Sequence, residues 1–453
     1  MNLKLQRPGR MVLSASLALF AGFFLQVPSA SAVPSYARQT GYPCKACHYM
    51  PPELTPLGRA FKLAGYTLAG KPTVTSKGTK RDSGLDILES FPLSVIFDTS
   101  LTATRTVQPG AQNGNFQFPQ DASLFLAGAW APHVGSFVQV TYDTQADHFS
   151  WDNTDIRYAN STKLFKKDLA YGITLNNNPT VEDLWNSTPA WGFPSISSSS
   201  APGPDAGALI NGGLAQDVAG LGGYAMWNNH LYIAGTLYRS EHIGAPQPNT
   251  GRDASDAPLS FNIRGVAPYW RVAWQETSKN NNFEIGSYGM HVKSYPGAIA
   301  GLDDSYTDWA FDFQYDRTIP QFGGDVVSFR GTYIRENSAL VATGALTTDP
   351  LIRHHLNTIQ ANAEYHFGNK LSGTIGYFDV DGTPDPVLFA SANGDPRSNG
   401  YIANVSWWPV QNIGLTFQYT GYSRFNGAAT NYDGSGRNAS SNNTAYLVAR
   451  FVF

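Results

Sequence analysis

The sequence predicts an all-β fold, an antiparallel β-barrel of about 16 strands of the kind that spans outer membranes, preceded by a small N-terminal domain. Three observations predict this fold. Aromatic residues make up 13% of the 453-residue chain, and charged residues only 14%. Segments from residue 91 onward alternate apolar and polar side chains, and the connections between them alternate between short and long. No apolar run there reaches the length of about 20 residues that a membrane-spanning helix needs.

The first 32 residues have the composition of a secretory signal peptide. Three basic residues precede an apolar stretch at residues 11–25, and the small residues ASA at 30–32 form a cleavage site. A membrane anchor is the alternative, but the apolar run is short for a span of about 20 residues. We therefore expect residues 1–32 to be removed and the exported chain to begin near Val33.

The charge balance is mildly acidic. Lys and Arg together number 31 against 34 Asp and Glu, a net charge of −3, and loss of the signal peptide makes the chain more negative. Proteins that bind nucleic acid neutralise phosphates with basic side chains, so this balance argues against a nucleic-acid partner.

The pentapeptide CKACH at residues 44–48 contains the only two cysteines of the chain. Cys-x-x-Cys-His is the attachment motif of a c-type haem, in which Cys44 and Cys47 form thioethers and His48 ligates the iron. A zinc site normally has four ligands, and the sequence has no second cysteine pair. A thioredoxin-like dithiol lies in a βαβ unit, which the sequence does not indicate. The motif therefore predicts one covalent c-type haem, with Cys44, Cys47 and His48 as its binding residues and His48 as the metal ligand.

Composition divides the mature chain into two predicted parts. Residues 33–84 are expected to form a monohaem cytochrome c domain with a linker, and residues 85–453 a transmembrane, porin-like β-barrel. The linker is predicted at residues 68–84, which are rich in Lys, Thr, Gly and Ser. About 50 residues are too few for a self-sufficient core, so the domain needs the haem, or docking against the barrel, for stability.

One helix is predicted within the small domain. Thr55 is a suitable N-cap, and Pro56 suits the first helical position because its missing N–H is not needed there. Residues 57–64 are expected to continue the helix, and Gly65 to end it.

Long alternating segments predict the strands of the barrel. Residues 308–316 place aromatic side chains on one face and Asp and Gln side chains on the other, and residues 359–367 and 413–420 show the same period of two. Successive side chains of a strand point to opposite faces, so this periodicity indicates strands and not helices.

A soluble β-sandwich also alternates, but three features favour a barrel. The predicted strands often reach about ten residues, whereas five or six is usual. The chain ends in AYLVARFVF, and a final strand that closes on Phe453 resembles the C-terminal assembly signal of bacterial outer-membrane proteins. Short periplasmic turns also alternate with long extracellular loops in such barrels. Short turns are predicted at residues 131–134, 228–229, 277–281, 368–369 and 409–410. Long loops are predicted at residues 105–117, 176–215, 241–259, 338–353, 381–397 and 425–438.

Three segments near the predicted haem site resemble one known family. They are PSYARQTG at residues 34–41, CKACH at 44–48 and PELTPLGRAFKL at 52–63. This combination resembles the fused cytochrome–porin family, whose best-known members are outer-membrane iron-oxidising cytochromes. The resemblance implies a small monohaem domain fused to a barrel of about 16 strands. It also implies that electrons pass from extracellular Fe(II) to periplasmic electron-carrier cytochromes.

Two classes of function follow from the sequence. The first is an outer-membrane electron-transfer protein with an iron-oxidising, oxidoreductase activity, in which the barrel shields the haem from lipid and holds it near the outer opening. The alternative is a solute porin whose haem domain is a plug, gate or sensor. Residues 176–215, rich in Pro, Ser and Gly, can fold into the pore as a constriction, which suits the porin as well. A third hypothesis, a haem enzyme acting on a small molecule, requires an open distal position on the iron.

Further ligand candidates can be assigned from residue type alone. Arg38 and Arg59 are expected either to neutralise haem propionates or to support the fold. Carboxylates suit hard cations, so acids of the long loops are candidates for attracting Fe(II), although acids in solvated loops are usual. These acids are Glu182, Asp183, Asp303, Asp304, Asp379 and Asp381. The candidates for a second haem ligand are Met50, Lys62, Lys71, Met226, Met290, His291 and His366.

Overall fold

The computed structural model describes residues 33–74, 91–144, 147–191, 197–240, 262–296, 301–368, 370–389 and 391–453. The predicted signal peptide at residues 1–32 lies outside these residues, as does much of the predicted linker. Within the described residues, no helix is long and apolar enough to cross a membrane.

Seventeen strand segments form a single antiparallel sheet that closes on itself. The first eight are β1 (Leu93–Thr104), β2 (Asn115–Ala131), β3 (Val134–Asp143), β4 (His148–Leu164), β5 (Lys167–Asn176), β6 (Val218–Trp227), β7 (Leu231–Ser240) and β8 (Asn262–Ile263). The others are β9 (Ala267–Thr277), β10 (Asn281–Tyr295), β11 (Asp304–Ile319), β12 (Asp325–Ala339), β13 (Arg353–Phe367), β14 (Leu371–Gly382), β15 (Ser398–Val410), β16 (Ile413–Arg424) and β17 (Thr444–Val452).

The sheet is a barrel with 16 strand positions. The two-residue β8 pairs with the far end of β10, beside which β9 also lies, so β8 and β9 occupy one position. The first strand pairs with both β2 and β17, which closes the circle. Val95 and Phe453 exchange both backbone hydrogen bonds at the seam, so the terminal Phe453 takes part in closure. The predicted strand number and antiparallel barrel are confirmed.

The predicted alternation has the expected physical cause. Along β11, Trp309, Phe311 and Phe313 are exposed on the outside of the barrel, whereas Asp312 and Asp316 are buried in the lumen. Exposed aromatic and aliphatic side chains recur on the other strands and form an apolar outer belt. Only a lipid environment makes such a continuous apolar surface favourable, so the belt marks the membrane-facing side of the barrel.

The two rims of the barrel differ in loop length. One rim carries the short turns and both ends of the closed sheet, and the turns predicted at 131–134, 228–229, 277–281 and 368–369 lie there. The turn predicted at 409–410 is wrong by two residues, because Pro409 and Val410 still belong to β15 and the turn is Gln411–Asn412. Proline is tolerated at a strand end, so it did not mark the turn itself.

The other rim carries the long loops. The predicted loops at 105–117, 176–215, 338–353, 381–397 and 425–438 all connect strands there. The loop predicted at 241–259 lies outside the described residues. One connection at this rim, between β3 and β4, covers only residues 144–147. A short helix, Val341–Thr347, lies in the β12–β13 loop.

The small N-terminal domain lies inside the barrel lumen. Its helices are α1 (Pro34–Thr40), α2 (Cys44–Cys47) and α3 (Pro56–Leu63), so the loop helix Val341–Thr347 is α4. The Thr55 side chain caps α3 by accepting the Gly58 N–H, and Gly65 follows the helix at φ +68°, as predicted. Buried polar side chains of the domain contact lumenal side chains on several strands. We therefore call residues 33–74 the plug.

Candidate functional site

The CKACH segment forms one tight turn in the plug. The four residues of α2 bring the two cysteines onto the same turn, and the His48 N–H donates to the Cys44 carbonyl at 2.9 Å. The third helix packs directly on this turn. A Cβ atom built on Gly58 would lie 2.2 Å from the Cys47 carbonyl oxygen, so only glycine permits the observed approach.

His48 is partly buried against the segment that contains Glu53 and Leu54. Its Nδ1 lies 3.2 Å from the carbonyl oxygen of Glu53, and the same two segments are joined by a bridge between His48 and Leu54. Burial lowers the pKa of His48 to about 4, so the imidazole is uncharged at neutral pH. Because Nδ1 faces a carbonyl, Nε2 is the ring nitrogen left to bind a metal.

The free Cys47 side chain is held as a thiol. Burial, with a smaller contribution from Cys44, raises the pKa of the Cys47 thiol to about 11, so it is protonated at neutral pH.

Cys44, Cys47 and His48 all line one cavity of about 400 Å³ between the plug and the barrel wall. The opposite wall comes from the lumenal sides of β1 to β4 and β17, and from residues 186–191 of the β5–β6 loop. Aromatic side chains make up much of the lining: Tyr42, Phe61, Phe125, Phe137, Trp191 and Trp408. The site is therefore a chamber of mixed aromatic and polar lining inside the lumen, with the predicted attachment residues on its plug side.

One ion pair lines this cavity. The Arg450 guanidinium makes hydrogen bonds of 2.6 to 3.1 Å to both carboxylate oxygens of Asp98 across the β1–β17 seam. Sequence analysis did not single out these residues. The signal in the sequence was Arg450, a basic residue in an otherwise apolar final strand. A charged side chain in such a strand is expected to face the lumen and not lipid.

The cavity begins at the short-turn rim. The Cys44 sulfur lies 3.6 Å from Gln411 Oε1, and Gln411 is in the β15–β16 turn. The predicted attachment residues therefore lie near the short-turn rim, whereas the sequence led us to expect a haem near the outer opening. The reason is that the plug enters the lumen from the end where β1 begins, and α2 packs at that end.

Most candidates for a second ligand do not reach this cavity. Lys62 lines it, but its Nζ donates to the carbonyls of Val181 and Asp183 and to Asn186 Oδ1 at 2.5 to 2.9 Å. The Lys71 Nζ lies over the Tyr42 ring, 4.3 Å from its centroid.

The other second-ligand candidates lie elsewhere. Met50 lines an adjoining polar cavity, and Met226 and Met290 are buried in apolar clusters of the barrel. His291 is on the outer face beside Thr307, and His366 points into the lumen toward Glu53. Residue type alone could not predict these positions, because strand register decides which side a side chain faces.

The two arginines considered as propionate partners support the fold instead. Arg38 donates to the Leu93 carbonyl at the start of β1. Arg59 is buried, donates to the Leu54 carbonyl, and pairs with Asp316 of β11 at 2.5 Å. Neither belongs to the lining of the cavity that holds Cys44 and Cys47.

The β5–β6 loop folds into the lumen, as the sequence analysis anticipated. Residues 177–188 are largely buried, and Trp185 packs against Tyr232 within the barrel. The Asn186 side chain accepts a hydrogen bond from Lys62 Nζ and donates one to the Pro52 carbonyl at 2.8 Å. These bonds join the loop to the plug. Plug and loop together fill much of the lumen.

The acids of this loop are not solvated. Glu182 and Asp183 are fully buried, and Asp183 pairs with Arg271 at 3.2 Å. The expectation that they attract Fe(II) from solution is wrong, because the loop turns inward and gives each carboxylate a buried partner. Glu182 accepts hydrogen bonds from Thr236 and Asn176.

The other four loop acids hydrogen-bond or pair with protein groups near the long-loop rim. Asp304 is buried and accepts from the first N–H groups of α4. Asp303 pairs with Arg264, Asp379 with Arg397, and Asp381 accepts from Asn357. Each has a protein partner, so none is arranged as a dedicated iron site.

Buried charge joins the plug and loop to β9–β13. Arg271 lies within 3.2 Å of Asp183, Glu284 and Asp312, and all four side chains are fully buried or nearly so. Nearby, Arg330 of β12 contacts Glu53 of the plug. We call this part of the lumenal wall, from β9 to β13, the charged wall.

Comparisons with known proteins bear on the fold. No family model and no curated protein matches the sequence. Among solved structures, the outer membrane channel DcaP of Acinetobacter baumannii matches at 13% identity and a TM-score of 0.50, over 83% of this chain and 99% of that chain.

Two further porins are similar at lower scores. An anion-selective porin from Comamonas acidovorans has 12% identity and a TM-score of 0.47, over 80% of this chain and 98% of that chain. OmpF of Salmonella typhi, in a complex with daunomycin, has 12% identity and a TM-score of 0.46, over 80% and 97%.

The fold and the apolar outer belt define the class of protein. The chain is a porin-like outer-membrane β-barrel of 16 strand positions, with lipid at its outer surface.

Proposed function

We propose that this barrel carries one covalent c-type haem in the cavity of the plug and transfers electrons across the outer membrane. The observation that carries the proposal is that Cys44, Cys47 and His48 line one cavity of about 400 Å³ within the lumen. Two thiols on one helical turn followed by an imidazole are the groups that covalent haem attachment requires.

The residues present fit a haem in three respects. The aromatic side chains of Phe125, Phe137 and Trp191 lie among polar ones on the wall that faces the motif and give an apolar ring surfaces to pack on. Gly58 lets α3 pack on the attachment turn, and the Glu53 carbonyl orients the His48 ring. Arg450 is a cation at the cavity wall that can neutralise a propionate, in competition with Asp98.

A bound haem supplies one-electron chemistry, and the protein supplies its surroundings. The plug and the inward loop narrow the lumen around the cavity, and the barrel wall separates it from lipid. Because Cys44 lies beside the Gln411 turn, the short-turn rim is the natural contact surface for a periplasmic cytochrome. Fe(II) is the proposed extracellular donor because it gives up one electron, the capacity of one haem.

Reduction spectra of the folded protein test this proposal. We expect Fe(II) to produce the absorbance bands of a reduced c-type haem in the wild-type chain, as dithionite does. His48→Ala should lose this response, whereas His291→Ala, a matched change on the outer face, should keep it. If dithionite reduces the haem and Fe(II) does not at acid or neutral pH, iron is not the donor.

A solute porin with a haem-containing plug is the second candidate. The observation that favours it is the fold, which DcaP, described as an outer membrane channel, shares. Conductance in planar bilayers separates the two candidates. A closed electron conduit predicts little ion current through the wild-type barrel, and a steady open-channel current would favour the porin.

A further inference from the structure

The plug meets the charged wall at a cluster of two carboxylates and a histidine. Glu53 of the plug, with Glu364 and His366 of β13, offers three ligand atoms that lie within 4.8 Å of one another. His366 Nε2 lies 3.2 Å from Glu53 Oε2 and 3.8 Å from Glu364 Oε2. A metal ion about 2.1 Å from each donor holds such donors about 3–4 Å apart.

His366 faces both glutamates at ion-pair distance, but without the geometry of a hydrogen bond. The side chain of His366 is 1% exposed, yet neither ring nitrogen makes a hydrogen bond to any residue that the structure describes. Glu53 Oε2 is also buried without a hydrogen bond among these residues. Buried polar atoms are nearly always satisfied, so unsatisfied donors that converge on one point indicate a missing ligand.

Space for an ion and its water lies beside the cluster. Glu53, Glu364 and Arg330 line a polar cavity of about 60 Å³ that adjoins the cavity of Cys44 and Cys47, and Pro51, Pro52 and Trp408 line both. A water molecule needs about 10–15 Å³ of such volume, so the cavity can hold several.

Arg330 already lies beside both glutamates, so a bound cation would share these two carboxylates with it. Its guanidinium contacts Glu53 and lies 3.6 Å from Glu364 Oε2. It also lies 3.6 Å from Asp316 Oδ1, and its Nε and Nη2 make no hydrogen bond to the described residues. Asp316 already accepts hydrogen bonds from Arg59, Gln314 and Ser328, so Arg330 and a bound cation compete for the two glutamates.

We propose that Glu53, Glu364 and His366 bind a divalent first-row transition-metal ion at the junction between plug and barrel. One imidazole with two carboxylates suits Fe(II), Mn(II), Co(II) or Zn(II) better than Mg(II) or Ca(II), which prefer oxygen donors alone. Such an ion ties the plug to β13. One of its ligands, Glu53, is also the residue whose backbone carbonyl faces His48 Nδ1.

The metal-site proposal does not rest on the haem proposal, so either one can be wrong while the other holds. Haem attachment depends on the Cys44 and Cys47 thiols, whereas the metal site depends on the side chains of Glu53, Glu364 and His366. A haem-stained chain without the metal site, or the reverse, would separate the two proposals.

Titration of the folded, full-length chain with Co(II) alone tests the site. We expect one Co(II) per chain with visible absorption bands, and a loss of affinity of more than about tenfold in His366→Gln and in Glu364→Gln. His354→Gln is the matched control, because His354 is a buried histidine on the same strand with one carboxylate partner, Asp385. It should bind Co(II) like the wild type.

Two results would overturn the proposal. One is wild-type chain that binds no Co(II), and the other is binding that both Gln variants leave unchanged. X-ray absorption of Co(II)-loaded wild-type chain provides a test that needs no variant to fold. Scattering from an imidazole in the metal shell supports the site, and a shell of oxygen atoms alone contradicts it.

Discussion

The two sides of the plug meet the barrel in opposite ways. Toward β9–β13 the plug and loop are packed against the charged wall, with Arg271 and Arg330 surrounded by carboxylates. Toward β1–β4 and β17 they leave a cavity of about 400 Å³ with an aromatic lining and the CKACH turn. We call this second side the hollow side.

The difference indicates a division of labour within one lumen. Buried ion pairs fix the orientation of a small domain that has little core of its own, since a partner removed from such a pair leaves a costly charge. The hollow side can then keep a space open without the domain collapsing into it. Substitutions on the two sides should therefore have different consequences.

Breaking the charged wall should have the largest effect. Arg271→Leu leaves Asp183, Glu284 and Asp312 buried together without their cation, which should cost about 3–5 kcal/mol of stability. The temperature at which the folded band disappears in heat-modifiable gel migration measures the loss. Arg264→Leu is the control, because Arg264 and Asp303 form an ion pair at the solvent-exposed loops. The Arg264→Leu variant should migrate like the wild type. Equal behaviour of the two variants would contradict the role of the charged wall.

Crowding the hollow side should have an intermediate effect on stability. Gly58→Ala places a Cβ 2.2 Å from the Cys47 carbonyl, so α3 must move off the attachment turn at a cost of about 1–3 kcal/mol. We expect less haem per chain, measured by absorbance against total protein. Gly203→Ala meets no atom within 4 Å and is the matched control. Full haem content in Gly58→Ala would show that this packing is not needed.

Lys62 lies between the two sides, and its removal should have the smallest effect. Burial lowers its pKa to about 7, so desolvation offsets part of its three hydrogen bonds, and Lys62→Met should cost about 1 kcal/mol. The sensitive readout is pH. Because the folded pKa lies below the ordinary 10.5, the unfolded chain binds more protons between pH 7 and 10.5, and stability should rise with pH there.

The Lys62→Met variant should lose the part of the increase in stability between pH 7 and 10.5 that the Lys62 amine causes. Arg157, Asp155, Asp183 and Glu182 surround the amine and remain in the variant, so the difference between the two pH profiles isolates Lys62. Identical profiles from pH 7 to 10.5 would show that the amine is not desolvated.

The sequence was sufficient for features that depend on neighbouring residues. Alternation gave the strands because side chains in a strand point to opposite faces, and the Thr55–Pro56 start gave α3 because capping is local. The motif at 44–48 was recognisable for the same reason.

The sequence was insufficient where pairs lie far apart in the chain. The contact between Glu53 and His366 joins plug and β13, and Arg271 meets Asp183 of an inward loop, so neither could be predicted from local pattern. Glu182 and Asp183 have the composition of loop acids, and only the course of the loop shows that they are buried.

Covalent attachment on the hollow side is the central claim, and haem staining after a denaturing gel tests it most directly. Wild-type chain produced with the haem-attachment machinery should keep a haem-stained band at the mass of the full chain. Cys44→Ser/Cys47→Ser should lose the stain, while immunodetection shows the same amount of chain. A stain of equal strength in the double variant, or none in the wild type, would contradict the account.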